Sequence, residues 1–491
     1  MASLKFSKSQ FLRGLQCHKS LWLYKYKPEL RTLPDQSQQA IFDSGTEVGL
    51  LAQKLFPNGK EIIFKDASFT RKIKQTRELI KNGTETIYEA TFSYNNVLVM
   101  VDILHKGSSG WGLHEVKSST ELKDIHISDL SVQYYVLSGC GLPISKASLV
   151  YINNQYVKNG ELDIKELFSI TELTNKIEES QGFVEDQLSQ MNEMLKGKCP
   201  GIDIGNHCDT PYPCDFKDHC WSHVPEYSIF DIRGLYTSKK FELYSKGILA
   251  LSDIPDDYDL ASSQRLQIAS ELTNKVTINK KGIKEFLDTL YYPLYFLDFE
   301  TFMSAVPIFD GTRPYQQVPF QYSLHVLEDE SAKLKHYEFL AKEGIDQREE
   351  LIKSLTSKIP DEACIMVYNM TFEKRILREL SEQFPSYKNK LMDIHENILD
   401  LMAPFQKKDY YTKEMKGSYS LKLVLPALLP RLSYKGMAIS DGGEAMNTYA
   451  TLHLLEDKKE VEQIRNDLLE YCKLDTFAMA KLLEKLNEEG K

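Results

Sequence analysis

The amino-terminal half of the chain contains three consecutive short segments whose apolar pattern predicts β-strands. These segments are residues 86–92, 97–104 and 111–119. They are rich in β-branched and aromatic side chains, and turns containing Asn or Gly separate them. Residues 125–137 have the periodicity of a helix, and residues 146–153 predict a further strand. With an amphipathic helix that Ser7 is expected to cap, the predicted order is αβββαβ.

The carboxy-terminal half combines buried strands with long helices. Residues 293–302 form an apolar run that is too short and too aromatic for a helix, so they predict a buried strand. Residues 364–369 predict a second strand, and a helix is expected to start directly after them. Residues 461–486 have helical periodicity. Both halves therefore predict a mixed α/β fold class.

Two carboxylates interrupt the first of these apolar runs. Asp298 and Glu300 lie two residues apart, and a strand has a side-chain period of two, so both emerge on one face. Such a pair is costly in a core unless a divalent cation lies between the oxygens, because Mg²⁺ and Mn²⁺ take carboxylate ligands. The alternative is a strand end whose acids point into water. Glu373 begins the next helix, and Tyr471 and Asp475 share one helical face at i and i+4.

The arrangement D-x-E on a strand, N-x-x-F-E at a strand-to-helix junction and Y-x-x-x-D on a last helix resembles the DEDD (DnaQ-like) exonucleases of the RNase H-like fold, in their tyrosine-bearing subclass. The resemblance implies a 3′-5′ exonuclease that uses Mg²⁺ or Mn²⁺ to stabilise the attacking and leaving oxygens. Its implied metal ligands are Asp298, Glu300, Glu373 and Asp475. Tyr471 would orient the attacking water.

Two details qualify this resemblance. The second motif of the family normally ends in Asp, so Glu373 is one methylene longer. Asp400, at the end of a further expected strand, is a weaker candidate ligand and an equally good helix cap. Residues 311–325 and 441–446 also resemble a bacterial family of uncharacterised proteins that carry this domain at the carboxy terminus.

A second group of polar side chains lies on the predicted strands of the amino-terminal half. Glu115 and Lys117 alternate with Val116, so they share a strand face. A charged strand face in water would give the same short pattern. With the order αβββαβ, the D…E-x-K pattern resembles the RecB-like branch of the PD-(D/E)XK nucleases. The resemblance implies that Asp102 and Glu115 hold a metal.

The same resemblance assigns three further residues. Lys117 would stabilise or help to activate the nucleophilic water, and Gln133 on the following helix would support that set. The family also places a His in a helix before the first strand. Residues 42–49 occupy this region without a His, so Glu47 is the expected substitute.

Three cysteines at equal spacing form a proline-containing loop. They are Cys208, Cys214 and Cys220, and Cys17 lies far upstream. Such spacing in a cytoplasmic protein indicates a metal or cluster, because disulfides rarely persist there. A Cys₄ zinc site and unrelated thiols are the alternatives.

The positions of these cysteines, one near the amino terminus and three after the nuclease core, resemble those in the RecB-like nucleases with a [4Fe-4S] cluster. The resemblance implies that the four thiolates hold the cluster and join the two ends of the domain. The remaining cysteines, Cys140, Cys199, Cys364 and Cys472, are expected to pack as small apolar side chains.

Composition narrows the class of protein. The 491 residues are 42% hydrophobic and 26% charged, which is typical of a soluble globular protein. No stretch approaches the ~20 apolar residues of a membrane span, and no apolar signal-peptide core follows Met1, so we expect a cytoplasmic protein without a membrane partner. A net charge of -10 argues against a histone-like coat on nucleic acid, but it does not argue against a nuclease.

The two resemblances therefore imply two nuclease domains and a connecting segment. Residues 1–224 are expected to form the PD-(D/E)XK restriction-endonuclease-like domain, and residues 291–491 the RNase H-like domain. Residues 225–290 are expected to form a small helical linker, with a helix-hairpin-helix-like element as the alternative. The preferred function is hydrolysis of nucleic acid at two separate sites, with single-stranded or end-bearing DNA the more favoured substrate and RNA the less favoured one. The alternatives are a nucleic-acid-binding or assembly protein with one degenerate site, and a redox-responsive regulator built on an iron-sulfur cluster.

Overall fold

The computed structural model describes residues 6–62 and 68–490. The chain divides into two compact units. The first comprises Met1–His223 with Ser304–Tyr315, and the second comprises Val224–Met303 with Gln316–Lys491. Both contain sheets and many helices, so the predicted mixed α/β class is confirmed. Among the described residues, no helix has the length and apolarity that crossing a lipid bilayer requires.

The first unit is built on a seven-stranded sheet in the order β2-β3-β4-β5-β6-β7, with β1 beside β4. The strands are β1 (Phe6–Ser7), β2 (Lys60–Glu61), β3 (Thr86–Tyr94), β4 (Val97–Lys106), β5 (Trp111–Lys117), β6 (Ile144–Ile152) and β7 (Phe168–Glu172). The helices are α1 (Lys8–Gln16), α2 (His18–Tyr26), α3 (Gln36–Ala52), α4 (Phe69–Lys81), α5 (Asp124–Gly139), α6 (Ile164–Leu167), α7 (Thr174–Glu179), α8 (Gln181–Met194) and α9 (Lys217–Cys220).

Local sequence explains how these elements begin and end. Asn95 and Asn96 both have positive φ, at 45° and 63°, which is the conformation of a tight hairpin turn between β3 and β4. Ser7 caps α1 by accepting from the backbone N–H of Gln10, and the Gln10 side chain accepts from the backbone N–H of Ser7. The apolar faces of α1, α5 and α8 then pack on the sheet around Phe11, Val101 and Leu130.

The second unit contains a five-stranded sheet in the order β11-β10-β9-β12-β13 and a separate two-stranded sheet of β8 and β14. The strands are β8 (Thr277–Ile278), β9 (Leu294–Phe302), β10 (Val318–Leu327), β11 (Lys335–Leu340), β12 (Cys364–Val367), β13 (Ile398–Asp400) and β14 (Tyr410–Tyr411). The helices are α10 (Thr237–Ser245), α11 (Ser262–Thr273), α12 (Lys280–Leu287), α13 (Arg348–Thr356), α14 (Met370–Gln383), α15 (Lys388–Glu396), α16 (Ala403–Gln406), α17 (Leu421–Leu428), α18 (Gly442–Leu452) and α19 (Lys458–Gly490).

The strand β9 lies at the centre of the five-stranded sheet. It pairs antiparallel with β10 and parallel with β12, and the long helix α19 packs across β9 and β10. A central strand is buried on both faces, which explains the nearly continuous apolar run of residues 294–302. Polar side chains on this strand are therefore held in the interior of the second unit.

The segment 225–290 was predicted as a separate linker, whereas the structure groups it with the second unit. Its strand β8 pairs with β14, and its helix α12 packs on α19. The segment also has a small core of its own around Ile229, Leu243 and Leu251. These pairings tie it to the second unit, and its resemblance to a helix-hairpin-helix stays a prediction.

Candidate active sites

Three elements of the second unit bring the predicted carboxylates together. Asp298 and Glu300 lie on one face of β9, as their spacing of two requires. Asn369, with φ at 81°, turns the chain from β12 into α14 and places Glu373 in the first turn of that helix. The third element is α19, which supplies Asp475 and Tyr471.

The pKa values of these four carboxyl groups reflect the clustering. Burial, and then the neighbouring Asp475, raise the pKa of Asp298 well above its usual value. Burial and Asp298 do the same for Glu300 and for Glu373. Burial also raises the pKa of Asp475 to about 7. Four acids that repel one another in a buried place are the arrangement that a divalent cation stabilises.

Glu373 is the most deeply buried of the four. Its side chain is 1% exposed, and its Oε2 has no hydrogen-bond partner among the described residues. A buried carboxylate oxygen without a donor is costly unless a ligand takes it up. Glu373 is one methylene longer than the Asp of the related motif, and its carboxylate nevertheless lies near enough to Asp298 to feel its charge.

Two tyrosines face Asp475. The Tyr434 hydroxyl donates to Asp475 Oδ1 at 2.5 Å, and the Tyr434 and Tyr471 rings lie 5.9 Å apart. Burial and the nearby Asp475 raise the pKa of both phenols, so both remain protonated donors. Gly442, at the start of α18, is also close: a Cβ there would lie 3.7 Å from Glu300 Oε2. No sequence pattern indicated Tyr434, which is 41 residues from Asp475.

Cys472 belongs to this site, contrary to the expectation of simple apolar packing. Its thiol is fully buried and donates to Asp298 Oδ2 at 3.4 Å. Single ligand atoms of Asp298, Glu300 and Cys472 all lie within 4.8 Å of one another, close enough to surround one metal ion. Helical spacing could have found this residue, because Cys472 and Asp475 are at i and i+3.

Asp400 has the contacts of a helix cap. Its Oδ1 accepts from the backbone N–H of Asn369 and of Met402, and its Oδ2 accepts from that of Met370. These bonds fix the start of α14, which carries Glu373. Of the two roles that sequence left open for Asp400, the contacts favour the cap over the metal ligand.

The first unit gathers its predicted residues where β4, β5 and α5 meet. Gln133 donates to Glu115 Oε2 at 2.7 Å, and Lys117 donates to Glu115 Oε1 at 2.7 Å. Asp102 accepts from the backbone N–H of Val116 at 2.7 Å, which places it beside the same strand. Asp102, Glu115, Lys117 and Gln133 thus form one polar cluster.

Two further residues of this cluster, which the sequence did not predict, are Asp129 and Lys8. Asp129 accepts from Lys117 at 2.6 Å and from Gln133 at 3.1 Å, and its i, i+4 spacing to Gln133 on α5 was the available signal. Lys8 donates to Glu115 Oε1 at 2.6 Å across 107 residues of sequence. No local pattern could have predicted that contact.

Opposite charges set the protonation of this cluster. Burial opposes ionisation of Glu115, but the Lys117 and Lys8 ammonium groups outweigh it and hold the pKa of Glu115 below its usual value. Asp102 lacks such close compensation, so burial and the Glu115 charge raise the pKa of Asp102 to about 8. Glu89, with φ at 56° in β3, lies within electrostatic reach of Lys8 and Glu115, and burial raises its pKa.

Glu47 does not join this cluster. On α3 the neighbouring Val48 is buried in the same core as Val116, which turns Glu47 outward, where it is exposed. In the described part of the chain, no hydrogen bond or ion pair links Glu47 to the acidic cluster. The proposed replacement of the family's His by Glu47 is therefore not supported by the geometry.

The four predicted cysteines line one small cavity of about 20 Å³ in the first unit. Burial raises the pKa of Cys17, and Cys214 and Cys208 are near enough to raise it further. Cys220 likewise lies within reach of all three others. Four thiols converge on the cavity, and Lys19 lies beside them. These side chains suit a metal or cluster that takes thiolate ligands.

Contacts around this cavity tie the loop of residues 208–220 to the amino terminus. Arg13 on α1 makes a two-pronged ion pair with Asp215, at 2.5 and 2.9 Å. The Gln16 amide donates to the carbonyls of His207 and Tyr212. The ends of the first unit are therefore already joined by protein contacts.

The other cysteines differ in how deeply they are buried. Cys364 is buried in the second unit, in agreement with the expected apolar packing. Cys140 and Cys199 are exposed, so that expectation is wrong for these two. Cys140 follows the last turn of α5 and Cys199 lies in a loop, and neither position faces a core.

Comparisons with known proteins give relatives without a described activity. Residues 295–420 match a domain of unknown function (DUF2779). An uncharacterised protein of Mycoplasma pneumoniae is 30% identical over 203 residues, and one of Mycoplasma genitalium is 26% identical over 208 residues. Each alignment covers 38% of this chain, which spans 30% and 31% of the lengths of these two relatives. No solved structure matches the chain.

Proposed function

We propose that this protein is a metal-dependent nuclease that hydrolyses phosphodiester bonds of nucleic acid, with one catalytic site in each unit. The observation that carries the proposal is the buried group of four carboxylates in the second unit, Asp298, Glu300, Glu373 and Asp475. Their mutual repulsion is relieved by divalent cations, and hydrolysis of a phosphodiester is the chemistry for which such carboxylate sites are suited.

In the second unit, the four carboxylates would hold Mg²⁺ or Mn²⁺. When bound, such cations stabilise charge on the attacking and leaving oxygens of phosphoryl transfer. Tyr471 would hold the attacking water through its hydroxyl, and Tyr434 would fix Asp475 by the 2.5 Å bond. This arrangement, together with the resemblance to tyrosine-bearing DEDD enzymes, supports a 3′-5′ exonuclease with an RNase H-like fold.

In the first unit, Asp102 and Glu115 would hold the cation. Lys117, which already lies on Glu115 and Asp129, would stabilise the nucleophilic water, and Gln133 would orient Glu115. The unpartnered buried Oε1 of Gln133 leaves an acceptor for a further donor at this place in the described structure. These contacts support the proposed PD-(D/E)XK-like site.

The cysteine cavity would hold a [4Fe-4S] cluster through Cys17, Cys208, Cys214 and Cys220. The convergence of the four thiols on one cavity supports this part of the proposal. All eight cysteines, which lie in the described residues, are free thiols rather than disulfides, and that favours a reducing compartment such as the cytoplasm. DNA remains the preferred substrate.

A second candidate function has one observation in its favour. Glu47 is exposed and lies apart from Asp102 and Glu115, so the first site lacks the ligand that the resemblance led us to expect. The first unit would then bind nucleic acid without cutting it, while the second unit alone would be the enzyme. A product analysis separates this possibility from two active sites.

The test is a nuclease assay on the full chain. Single- and double-stranded DNA and RNA, labelled at the 5′ or the 3′ end, would be incubated with the protein in Mg²⁺, in Mn²⁺ or in EDTA. We expect metal-dependent shortening of DNA that carries a free 3′ end. Intact substrates in every combination of metal and nucleic acid would reject the proposal.

A further inference from the structure

Lys8 is a member of the first-unit site to which the proposed reaction gives no role. We propose that Lys8 is a resident counter-ion that occupies Glu115 Oε1 in place of a divalent cation and must withdraw before the cation can use that oxygen. The inference rests on the proposed metal site of the first unit. It assigns Lys8 the task of setting how tightly that site holds its metal.

The elements β1 and α1 fix the position of the Lys8 backbone. It is the first residue of α1, directly after the Ser7 cap, and Phe6 is buried where β1 pairs with Val97 of β4. From there the side chain crosses to the acidic cluster, where Nζ lies 2.6 Å from Glu115 Oε1 and 3.5 Å from Asp129 Oδ1. The backbone that carries Lys8 is therefore anchored, and only its side chain is free to move.

Both oxygens of Glu115 are occupied by donors. Oε1 accepts from Lys8 and from Lys117, at 2.6 and 2.7 Å, and Oε2 accepts from Gln133 at 2.7 Å. Each carboxylate oxygen has two acceptor sites, so Oε1 is fully occupied and a cation can use this oxygen only after one of its two donors leaves. An ammonium group in contact with the same oxygen also repels the incoming cation.

Lys8 is the donor with the weakest hold. Lys117 has two short contacts, at 2.7 Å to Glu115 and 2.6 Å to Asp129, whereas Lys8 has one short contact and one at 3.5 Å. Gln133 is uncharged and fully buried, so it neither repels a cation nor has solvent to move into. The Lys8 and Lys117 side chains are 23% and 26% exposed, so both ammonium groups can reach water, and the single short contact of Lys8 makes it the easier of the two to release.

The test is the affinity of the first site for Mn²⁺, measured by isothermal titration calorimetry on the full chain. An Asp298→Ala background takes one of the four carboxylates out of the second site and so weakens binding there. In that background, Lys8→Met keeps the apolar stem and removes the charge, and we expect Mn²⁺ to bind at least about tenfold more tightly. Lys8→Arg keeps the charge and should bind Mn²⁺ within about threefold of the parent.

Three further variants make the result interpretable. Lys74→Met is the matched control, because Lys74 is 78% exposed on α4, and it should leave the affinity unchanged. Lys8→Gln is a second neutral variant, to be used if circular dichroism shows that the methionine disturbs folding. Glu115→Gln should abolish the binding event and thereby assign it to this site.

Each outcome has a distinct meaning. Unchanged or weaker Mn²⁺ binding by folded Lys8→Met and Lys8→Gln would overturn the role of Lys8. If neither the parent nor folded Lys8→Met binds Mn²⁺, or if Glu115→Gln leaves binding unchanged, the proposed metal site of the first unit fails instead.

Discussion

Replacing Glu373 by Gln should make the metal-free protein more stable than the wild type and the metal-loaded protein less stable than the wild type. Glu373 is almost fully buried, carries an oxygen without a partner among the described residues, and lies beside Asp298. Its raised pKa means that folding either confines a repelled charge or forces proton uptake. Gln has the same shape, carries no charge and offers an amide donor to Asp298.

The magnitude follows from the electrostatics. Two like charges roughly 5 Å apart repel by about 3 kcal/mol at an effective dielectric constant of ~20. Proton uptake relieves part of this repulsion, so in EDTA at pH 8 we expect Glu373→Gln to increase the free energy of unfolding by about 1–2 kcal/mol. For a unit of this size, that corresponds to a rise in the midpoint temperature of about 2–8 °C.

Saturating Mn²⁺ should invert the order. A ligand present at ~100 times its dissociation constant stabilises the native state by about 2.7 kcal/mol, and the wild type should gain this while Glu373→Gln gains little. The assay is thermal unfolding followed by calorimetry, with and without Mn²⁺. Glu382→Gln, an exposed position on the same helix, is the control and should change neither midpoint. If Glu373→Gln melts below the wild type in EDTA, the reasoning about repelled carboxylates is refuted.

Three further predictions concern other parts of the chain. Cys214→Ser should abolish the brown colour and the iron and sulfide content expected of the anaerobically purified wild type, and a colourless wild type with one bound zinc would contradict the cluster. Burial lowers the pKa of His325 to about 3 from its usual 6.5, so the unfolded chain takes up a proton first and stability falls as pH drops from about 6.5 towards 3. In His325→Gln, the loss of unfolding free energy over that range, measured by urea titration, should be smaller by up to about 1.4 kcal/mol per pH unit, and an unchanged slope would contradict the prediction. Cys472→Ala removes the thiol donor to Asp298 and should lower kcat/KM for trimming of 3′ ends by about fivefold, whereas Cys472→Ser keeps a donor and should restore most of it.

Local periodicity predicted the parts of the fold that depend on neighbouring residues. The predicted strand 111–119 corresponds to β5 (Trp111–Lys117), in which alternation places Glu115 and Lys117 on one face and a glycine-containing turn precedes the strand. In the second unit, the spacing of two in β9 and of four in α19 was enough to place Asp298, Glu300, Tyr471 and Asp475. These residues are brought together by regular secondary structure.

Contacts between distant segments could not be read in this way. Lys8 reaches Glu115 only because β1 pairs with β4, and Tyr434 reaches Asp475 from an irregular segment. The segment 225–290 looked like a linker because its strand β8 is two residues long and needs β14 as a partner. Glu47 was placed in the site from its position in sequence, whereas the orientation of α3 is decided by burial of Val48.

The central claim, two metal-dependent nuclease sites, is tested most directly by comparing four proteins on one substrate. They are the wild type, Asp102→Asn, Asp298→Asn and the double variant, each incubated in Mn²⁺ with single-stranded DNA labelled at its 3′ or 5′ end. Asn preserves side-chain shape and leaves an acceptor for the Val116 N–H at position 102. We predict that Asp298→Asn loses stepwise trimming of 3′ ends, that Asp102→Asn loses the remaining cleavage, and that the double variant leaves the DNA intact. A double variant that cleaves at the wild-type rate would contradict the account.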